Sequence, residues 1–303
     1  MAVLLSSVQS EAQRIAFWNV ENFFDTRNDT LTNDDEFTPE GARHWNYNRF
    51  YRKRNALAKT IIAMGAPAVV GLAEVENSWV LKELVRSGPL RKLNYSVVHY
   101  DSPDKRGIDC ALLYRSDSVR LLEKKVISML DLQEDLHTRD VLHVALLMSG
   151  GDTLYLFVCH LPSRLNGDVS DQQRRLVAER MRTQMDSVAA EHPDALVLAM
   201  GDFNAEPDEV ETLFPKPRFI MLPGEPALLA GSYNHQGTWM LLDNMVAVTS
   251  PRSESLTFEV FRNEFLIEKD DKQLTSKPFR TYSGPRYKGG ISDHLPIYLD
   301  LPR

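Results

Sequence analysis

Several apolar runs in this 303-residue chain stop abruptly at a carboxylate, an amide or an imidazole. Ala195–Met200 runs into Gly201-Asp202-Phe203-Asn204, Pro67–Ala73 into Glu74-Val75-Glu76, and Arg14–Val20 carries Asn19 near its end, followed by Glu21-Asn22. A further run ends in Cys159-His160-Leu161-Pro162, and near the C-terminus Ser292-Asp293-His294 immediately precedes the apolar Leu295–Leu299. An apolar strand cannot hold a carboxylate cheaply, so these groups belong where strands emerge, and ligands of α/β sheets gather at such ends. Asp243 is the exception, embedded in the run Trp239–Val248, and a buried carboxylate there requires a partner; His294 is the expected one. An Asx-turn accounts for Asp202 taken alone, and a lone His160 has a structural reading beside the functional one. Recurrence of the pattern favours a common site.

The elements that must position these groups are of two kinds. Strand, helix (about Asn48–Met64, with Phe50, Leu57, Ile61 and Met64 on one face), strand and a second amphipathic segment (Ser78–Val85) suggest parallel strands joined by helices. From Tyr95 to Phe157, runs at Tyr95–Tyr100, Asp109–Tyr114, Val119–Met129, Val141–Met148 and Thr153–Val158 have no helix between them and read as antiparallel sheet, with Gly150-Gly151-Asp152 as a hairpin turn. Ser170-Asp171-Gln172-Gln173 reads as a capping box opening a helix to about Ala190, with Leu176, Met181, Met185 and Val188 inward. Thr26–Trp45 reads as a surface loop, and Trp239–Val248 as one strand. Gly201 is expected to give a sharp turn or a close approach to ligand. The cluster Arg49, Arg52, Lys53 and Arg54 is either a solvated helix face or an attractor of phosphate at the mouth of the site.

Composition bounds the class. With 43% hydrophobic and 25% charged residues the chain is an ordinary globular one, and its net charge of −7 disfavours nucleic-acid binding by bulk electrostatics. Cys110 and Cys159 fall inside apolar runs and are expected as buried free thiols. No stretch is long and apolar enough to span a bilayer, so stable membrane insertion is not expected; a monomer is. The opening Met1–Ser10 resembles the tail of a secretory signal, which makes residues 1–13 a leader segment and 14–303 one domain. Export to a periplasm or the outside follows from that reading, and a cytoplasmic protein from its alternative.

In chain order, Asn19, Glu74-Val75-Glu76, Arg106-Gly107-Ile108-Asp109-Cys110-Ala111, His160-Leu161, Gly201-Asp202-Phe203-Asn204, Asp243 and Ser292-Asp293-His294 resemble the endonuclease/exonuclease/phosphatase superfamily, the deoxyribonuclease I-like metal-dependent phosphoesterases, from about Arg14 to the C-terminus. The resemblance implies a four-layered α/β sandwich: two mixed β-sheets face to face with helices outside. It implies Mg2+, with Mn2+ or Ca2+ as alternatives, held mainly by Glu74 and completed by Asn19 and Asp293. Asp202 and Asn204 would position the attacking water and stabilise the transition state. His294, paired with Asp243, would act on the phosphate or the water, and His160 would serve as general acid to the leaving oxygen. Asn19, Arg106 and Arg280 would bind substrate, with Arg286 and Lys288 nearby. Sparse oxygen ligands suit magnesium, while tips poor in histidine and free of cysteine argue against zinc.

His160 resembles the histidine of deoxyribonuclease I, the neutral sphingomyelinases and related phosphatases, where abasic-site endonucleases usually carry asparagine. Asn244 after Asp243 departs from the tyrosine or histidine often found there. The expected function is hydrolysis of a phosphodiester, nucleic acid included, or of a phosphomonoester, by in-line attack of water. A nuclease-like phosphodiesterase is the first reading, and a phosphatase or sphingomyelinase-like phosphodiesterase the alternative. A catalytically silent binding protein is disfavoured by the complete set of chemical groups.

Overall fold

The computed structural model describes residues 13–132, 136–223 and 231–302, so the leader-like opening lies outside the described residues except for Gln13, which pairs with Leu301 and belongs to the domain, not to a leader. Its first half runs β1 (Gln13–Phe23), α1 (Tyr47–Ala63), β2 (Val69–Val75), α2 (Ser78–Val85), β3 (Tyr95–His99), β4 (Asp109–Arg115), β5 (Val119–Ile127), β6 (Val141–Met148) and β7 (Thr153–His160). Then follow α3 (Asp168–Glu191), β8 (Leu196–Asp202), α4 (Pro207–Leu213), β9 (Phe219–Met221), β10 (Tyr233–His235), β11 (Thr238–Met240) and β12 (Asp243–Val248). The chain closes with β13 (Glu259–Val260), β14 (Ile267–Asp270), β15 (Thr275–Pro278), β16 (Tyr282–Ser283), β17 (Arg286–Tyr287) and β18 (Ile297–Leu301).

Two six-stranded sheets result, in the orders β13-β18-β1-β2-β4-β3 and β5-β6-β7-β8-β12-β9. Each has one parallel pair, β1/β2 across α1 and β7/β8 across α3, and is otherwise antiparallel. Period-two alternation explains why the central strands read as continuous apolar runs. In β7 and β8, Leu154, Leu156, Val158, Leu196, Leu198 and Met200 join the core between the sheets, while Phe157, Cys159, Val197 and Ala199 join a second core under α3. Helices α1 and α2 pack on the first sheet and α3 on the second, which completes the four layers of the sandwich. Each sheet is thus apolar on both faces, and its buried polar groups, His143 of β6 apart, gather mostly where strands end.

The two central glycines serve packing. A Cβ on Gly71 would lie 2.6 Å from Met200 of the opposite sheet, and one on Gly201 would lie 2.2 Å from the carbonyl oxygen of Cys159 in the neighbouring strand. Gly201 therefore lets β8 and β7 close up, and the expectation of a turn or a ligand approach at that residue is corrected. Both cysteines are buried free thiols, as expected.

Other expectations also need correction. The Thr26–Trp45 segment is a loop with a 3-10 turn at Asp35–Phe37, but it is not all surface: Phe37 and Trp45 are buried, and Trp45 Nε1 donates to the Phe24 carbonyl at 3.0 Å. Helix α3 begins at Asp168, so Ser170 lies inside it and accepts from Asn166 N instead of capping; Val177, not Leu176, turns fully inward. The run Trp239–Val248 is split, because β11 pairs with β10 in a hairpin while β12 pairs with β8 and β9. Asp243 consequently opens a strand instead of interrupting one.

Candidate active site

Strand register brings the first group together. Asp202, the last residue of β8, lies directly across from Asp243, the first of β12, and beside His160, the last of β7. Ser292 Oγ donates to the Asn19 carbonyl at 2.7 Å and accepts from His294 N at 3.0 Å, which pins His294 beside β1 and above the second sheet. His294 Nδ1 then meets Asp243 Oδ2 at 2.8 Å, and its Nε2 lies 3.7 Å from Asp202 Oδ2. Asp202 Oδ2 also accepts from Asn19 Nδ2 at 3.0 Å and has His160 Nε2 at 3.5 Å, while its Oδ1 accepts from Asn204 N at 2.9 Å. Asn204 Nδ2 is committed to the Leu161 carbonyl at 3.0 Å, so Asn204 braces the end of β8 against that of β7.

The second group is ionic and belongs to the first sheet. Beyond Asn19 the backbone of β1 enters the left-handed region at Glu21 (φ 49°) and Asn22 (φ 55°), and β2 does so at Glu74 (φ 63°). Such conformations cost non-glycine residues about 1–3 kcal/mol and concentrate at functional sites. Here they aim side chains: Glu74 Oε2 accepts from Asn22 N at 2.8 Å, and Arg106 Nη1 stands 4.0 Å from Glu74 Oε1. Arg280 bridges Asp293 (2.9 Å) and Glu21 (3.2 Å), and Glu21 Oε2 accepts from Thr281 N at 2.7 Å. Lys53 reaches this group from α1, donating to the Glu21 carbonyl, to Thr281 Oγ1 at 2.7 Å and to the Ile291 carbonyl at 3.0 Å.

Protonation differs between the histidines. Burial pushes His294 down, but the Asp243 and Asp202 carboxylates outweigh it and hold the ring as imidazolium well above the usual histidine range. His160 is driven well below that range by burial, with Arg139, Arg106 and His294 adding to the effect, and is neutral. Burial also raises Asp202 to about 6 against the pull of His294, so at neutral pH Asp202 is a carboxylate beside a cationic His294. In the ionic group, burial and Asp293 raise Glu21 to about 7, and burial lowers Lys53 to about 8 against Glu21, Asp293 and Glu74. Burial raises Glu76, two residues past Glu74, to about 8.

The structure thus assembles Asn19, His160, Asp202, Asn204, Asp243 and His294 into one polar group, in which the two histidines approach Asp202 at 3.5 and 3.7 Å, and Glu74, Arg106, Arg280 and Asp293 into an adjacent ionic one. Arg286 is exposed in the β16–β17 hairpin, and Lys288 pairs with Glu268 at 3.1 Å, apart from both. The cluster on α1 is not a single patch. Lys53 turns inward, Arg49 lies 4.3 Å over the Tyr287 ring and Arg54 pairs with Glu83. Sequence reasoning missed four contributors: Glu21, the inward Lys53, Tyr233, whose ring lies 4.9 Å from that of His294, and Arg139, which donates to the carbonyls of His160 (3.1 Å) and Leu161 (2.7 Å). A charged residue at a buried position of a helical pattern was the available signal for Lys53.

Among the described residues, Asp202, Asp243 and His294 bring ligand atoms within 4.8 Å of one another and could hold a metal ion, as could His99, Asp101 and Asp109. The family profile described as "Endonuclease/Exonuclease/phosphatase family" matches residues 14–214 and 220–303, and the chain belongs to that family. Among solved structures it is similar to a humanized TDP2 of D. rerio (18% identity, TM-score 0.61, 96% of this chain and 99% of that one). It is similar also to a mannosyl-6-phosphatase of Bacteroides thetaiotaomicron (14%, TM-score 0.62, 96% and 100%). The catalytic domain of human Nocturnin with a bound sulfate anion is a third (16%, TM-score 0.59, 95% and 93%). A search of curated protein sequences finds no match. At these identities the likenesses establish the fold.

Proposed function

We propose that the chain is a Mg2+-dependent phosphoesterase that hydrolyses phosphate esters by in-line attack of water. The observation that carries this reading is the Asp243–His294–Asp202 chain beside a separate set of half-buried carboxylates. Glu74, Asp293 and the side-chain oxygen of Asn19 offer hard oxygen donors, and both carboxylates already face arginines at 4.0 and 2.9 Å. An acid-rich corner that draws cations in this way fits magnesium, which takes few protein ligands and completes its shell with water and phosphate. Bound there, Mg2+ would neutralise phosphate charge and favour loss of the leaving oxygen.

The chain's own residues supply the rest. Asp202, held by Asn19 Nδ2 and Asn204 N, accepts a hydrogen bond from the attacking water and takes its proton. His294, kept cationic by Asp243, stabilises the charge that develops on the phosphoryl oxygens and is the group with a proton to give. His160, neutral, contributes a hydrogen bond instead of an ionised acid, which moves the general-acid role expected of it to His294. Arg106 and Arg280 orient the substrate phosphate.

Similar folds act on different substrates: one D. rerio TDP2 structure is complexed with single strand DNA product, and another relative is a mannosyl-6-phosphatase. A phosphatase reading is favoured over a nuclease-like one by the wall beyond Glu74. There Asp25, Asp29, Asp101 and Asp109 line a cavity of about 440 Å3 in which, among the described residues, Arg27 is the one basic side chain, a poor path for a polyanionic strand. The test is turnover of p-nitrophenyl phosphate and bis(p-nitrophenyl) phosphate with Mg2+ and with excess chelator. Hydrolysis that chelator abolishes and Mg2+ restores is expected; undiminished turnover in chelator would exclude the metal-dependent mechanism.

A further inference from the structure

On the opposite side of the site from the acidic wall, Asp293 and Arg280 open into a cavity of about 360 Å3, at the lower end of the size range of small-molecule sites. Its walls come from the β10–β11 and β14–β15 hairpins and the turn leading to β16. They are packed on one another: a Cβ added to Gly237 would lie 2.9 Å from Gln273 Cβ, and Tyr233 forms a β-bridge with His294. The cavity is therefore joined to the active-site histidine by backbone pairing.

Its chemistry is that of amides and a ring. Asn234, Gln236 and Gln273 line it, together with Tyr233 and the Asp270–Lys277 pair, whose charges meet at 3.0 Å and cancel. Asn234 Oδ1 accepts from Gly237 N at 3.0 Å, which fixes the orientation of the amide. Its Nδ2 is then the free end, and it is buried with no hydrogen-bond partner among the described residues. A buried donor left unpaired costs about 1–3 kcal/mol, which a ligand oxygen would recover. Primary amides carry a donor and an acceptor side by side, the spacing at which vicinal hydroxyl groups of a polyol present theirs.

We propose that this cavity binds the part of the substrate that keeps its hydroxyls, so that the enzyme acts on a phosphorylated monosaccharide or similar polyol, with the phosphate at Arg280 and Asp293 and the hydroxyls on Asn234, Gln236 and Gln273. The inference rests on the phosphoesterase reading and adds the substrate class. Charge supports it on one side: the amide cavity sets Lys272, Lys277 and Arg280 against Asp270 and Asp293, but the wall past Glu74 is acidic and interrupts any continuous track for a polyanion.

The test compares Asn234→Asp and Gln273→Ala with wild type on a hexose phosphate and on p-nitrophenyl phosphate, with a single-stranded oligonucleotide as a third substrate. Asn234→Asp keeps the oxygen that receives Gly237 N but replaces the free donor with an acceptor that carries negative charge, so Gln273→Ala, which adds no charge, is the arm that isolates a lost hydrogen bond. Each substitution should lower kcat/KM for the hexose phosphate about 10-fold, mainly through KM, and leave p-nitrophenyl phosphate within about 2-fold. Equal losses on both esters, no loss on the hexose phosphate, or preferential cleavage of the oligonucleotide would overturn the proposal while leaving the phosphoesterase reading intact. Absence of turnover on every ester would overturn both.

Discussion

The two halves of the rim solve opposite problems. The half built from the ends of β7, β8 and β12 is buried and neutralises charge by the Asp243–His294 and Asn19–Asp202 hydrogen bonds and the 3.7 Å approach of His294 to Asp202. The half built from β1, β2 and the approach to β16 keeps its charges as ion pairs, with Arg280 set between Glu21 and Asp293 and Glu74 facing Arg106. His294 belongs to both: it follows Asp293 in sequence, sits just ahead of β18 of the first sheet, and reaches across to β8 and β12 of the second. The contrast is one of charge handling: the second sheet's strand ends hold carboxylates against a histidine and amides, and the first sheet's hold them against arginines and Lys53.

Removing the bridge should have the largest effect. His294→Ala takes away the cation and leaves Asp202 and Asp243 facing each other across adjacent strands, so turnover should fall by about 10²–10⁴-fold on every ester, measured by steady-state kinetics. His160→Ala sharpens the contrast between the histidines. Because burial keeps His160 neutral, its loss should slow a p-nitrophenyl ester and an alkyl phosphate by similar factors of about 10 to 10². A loss confined to the alkyl leaving group would return the acid role to His160.

Lys53 tests the ionic half through stability. Its ammonium serves two carbonyls and Thr281 and lies within the field of Glu21, Glu74 and Asp293. Lys53→Met should cost about 3–5 kcal/mol, read as a drop in the denaturation midpoint, because it leaves three buried acceptors without their donor and Glu21 with Arg280 as its remaining cation. Lys53→Arg would keep the charge with a different reach and should cost less.

His143 provides a control outside both halves. It lies in β6, 1% exposed, its ring 4.4 Å from that of Phe157, and neither ring nitrogen has a partner among the described residues. Burial lowers it from 6.5 to about 4. A depressed histidine is neutral in the fold while the unfolded chain takes up a proton, so stability is full above pH 6.5 and is lost as pH falls toward 4. The loss should reach about 3 kcal/mol by pH 4, and His143→Phe should flatten that part of the pH–stability curve.

Much of the site is legible in sequence for a physical reason: Asp202, His160 and Glu74 end apolar runs, and a carboxylate at such a place is an anomaly that local pattern exposes. Lys53 and Glu21 are hidden because their settings look ordinary, one as a charge on an amphipathic helix, the other as a polar residue following a strand. Gly201 shows the converse, a residue that local chemistry assigns to a turn and that a neighbouring strand, distant in sequence, in fact requires. The amide cavity could not be read at all, since residues 233–240 and 267–278 form short hairpins without period and their convergence on Asp293 is purely tertiary.

The division between halves is tested most directly by titrating activity with Mg2+ in wild type, Glu74→Gln and His294→Ala, using p-nitrophenyl phosphate. If Glu74 holds the cation and His294 handles the chemistry, Glu74→Gln raises the Mg2+ concentration for half-maximal activity by about 10-fold or more, as loss of a metal-site group does, whereas His294→Ala lowers the plateau and leaves that concentration unchanged. A shift in the Mg2+ requirement of equal size in both variants, or none in Glu74→Gln, would contradict the account.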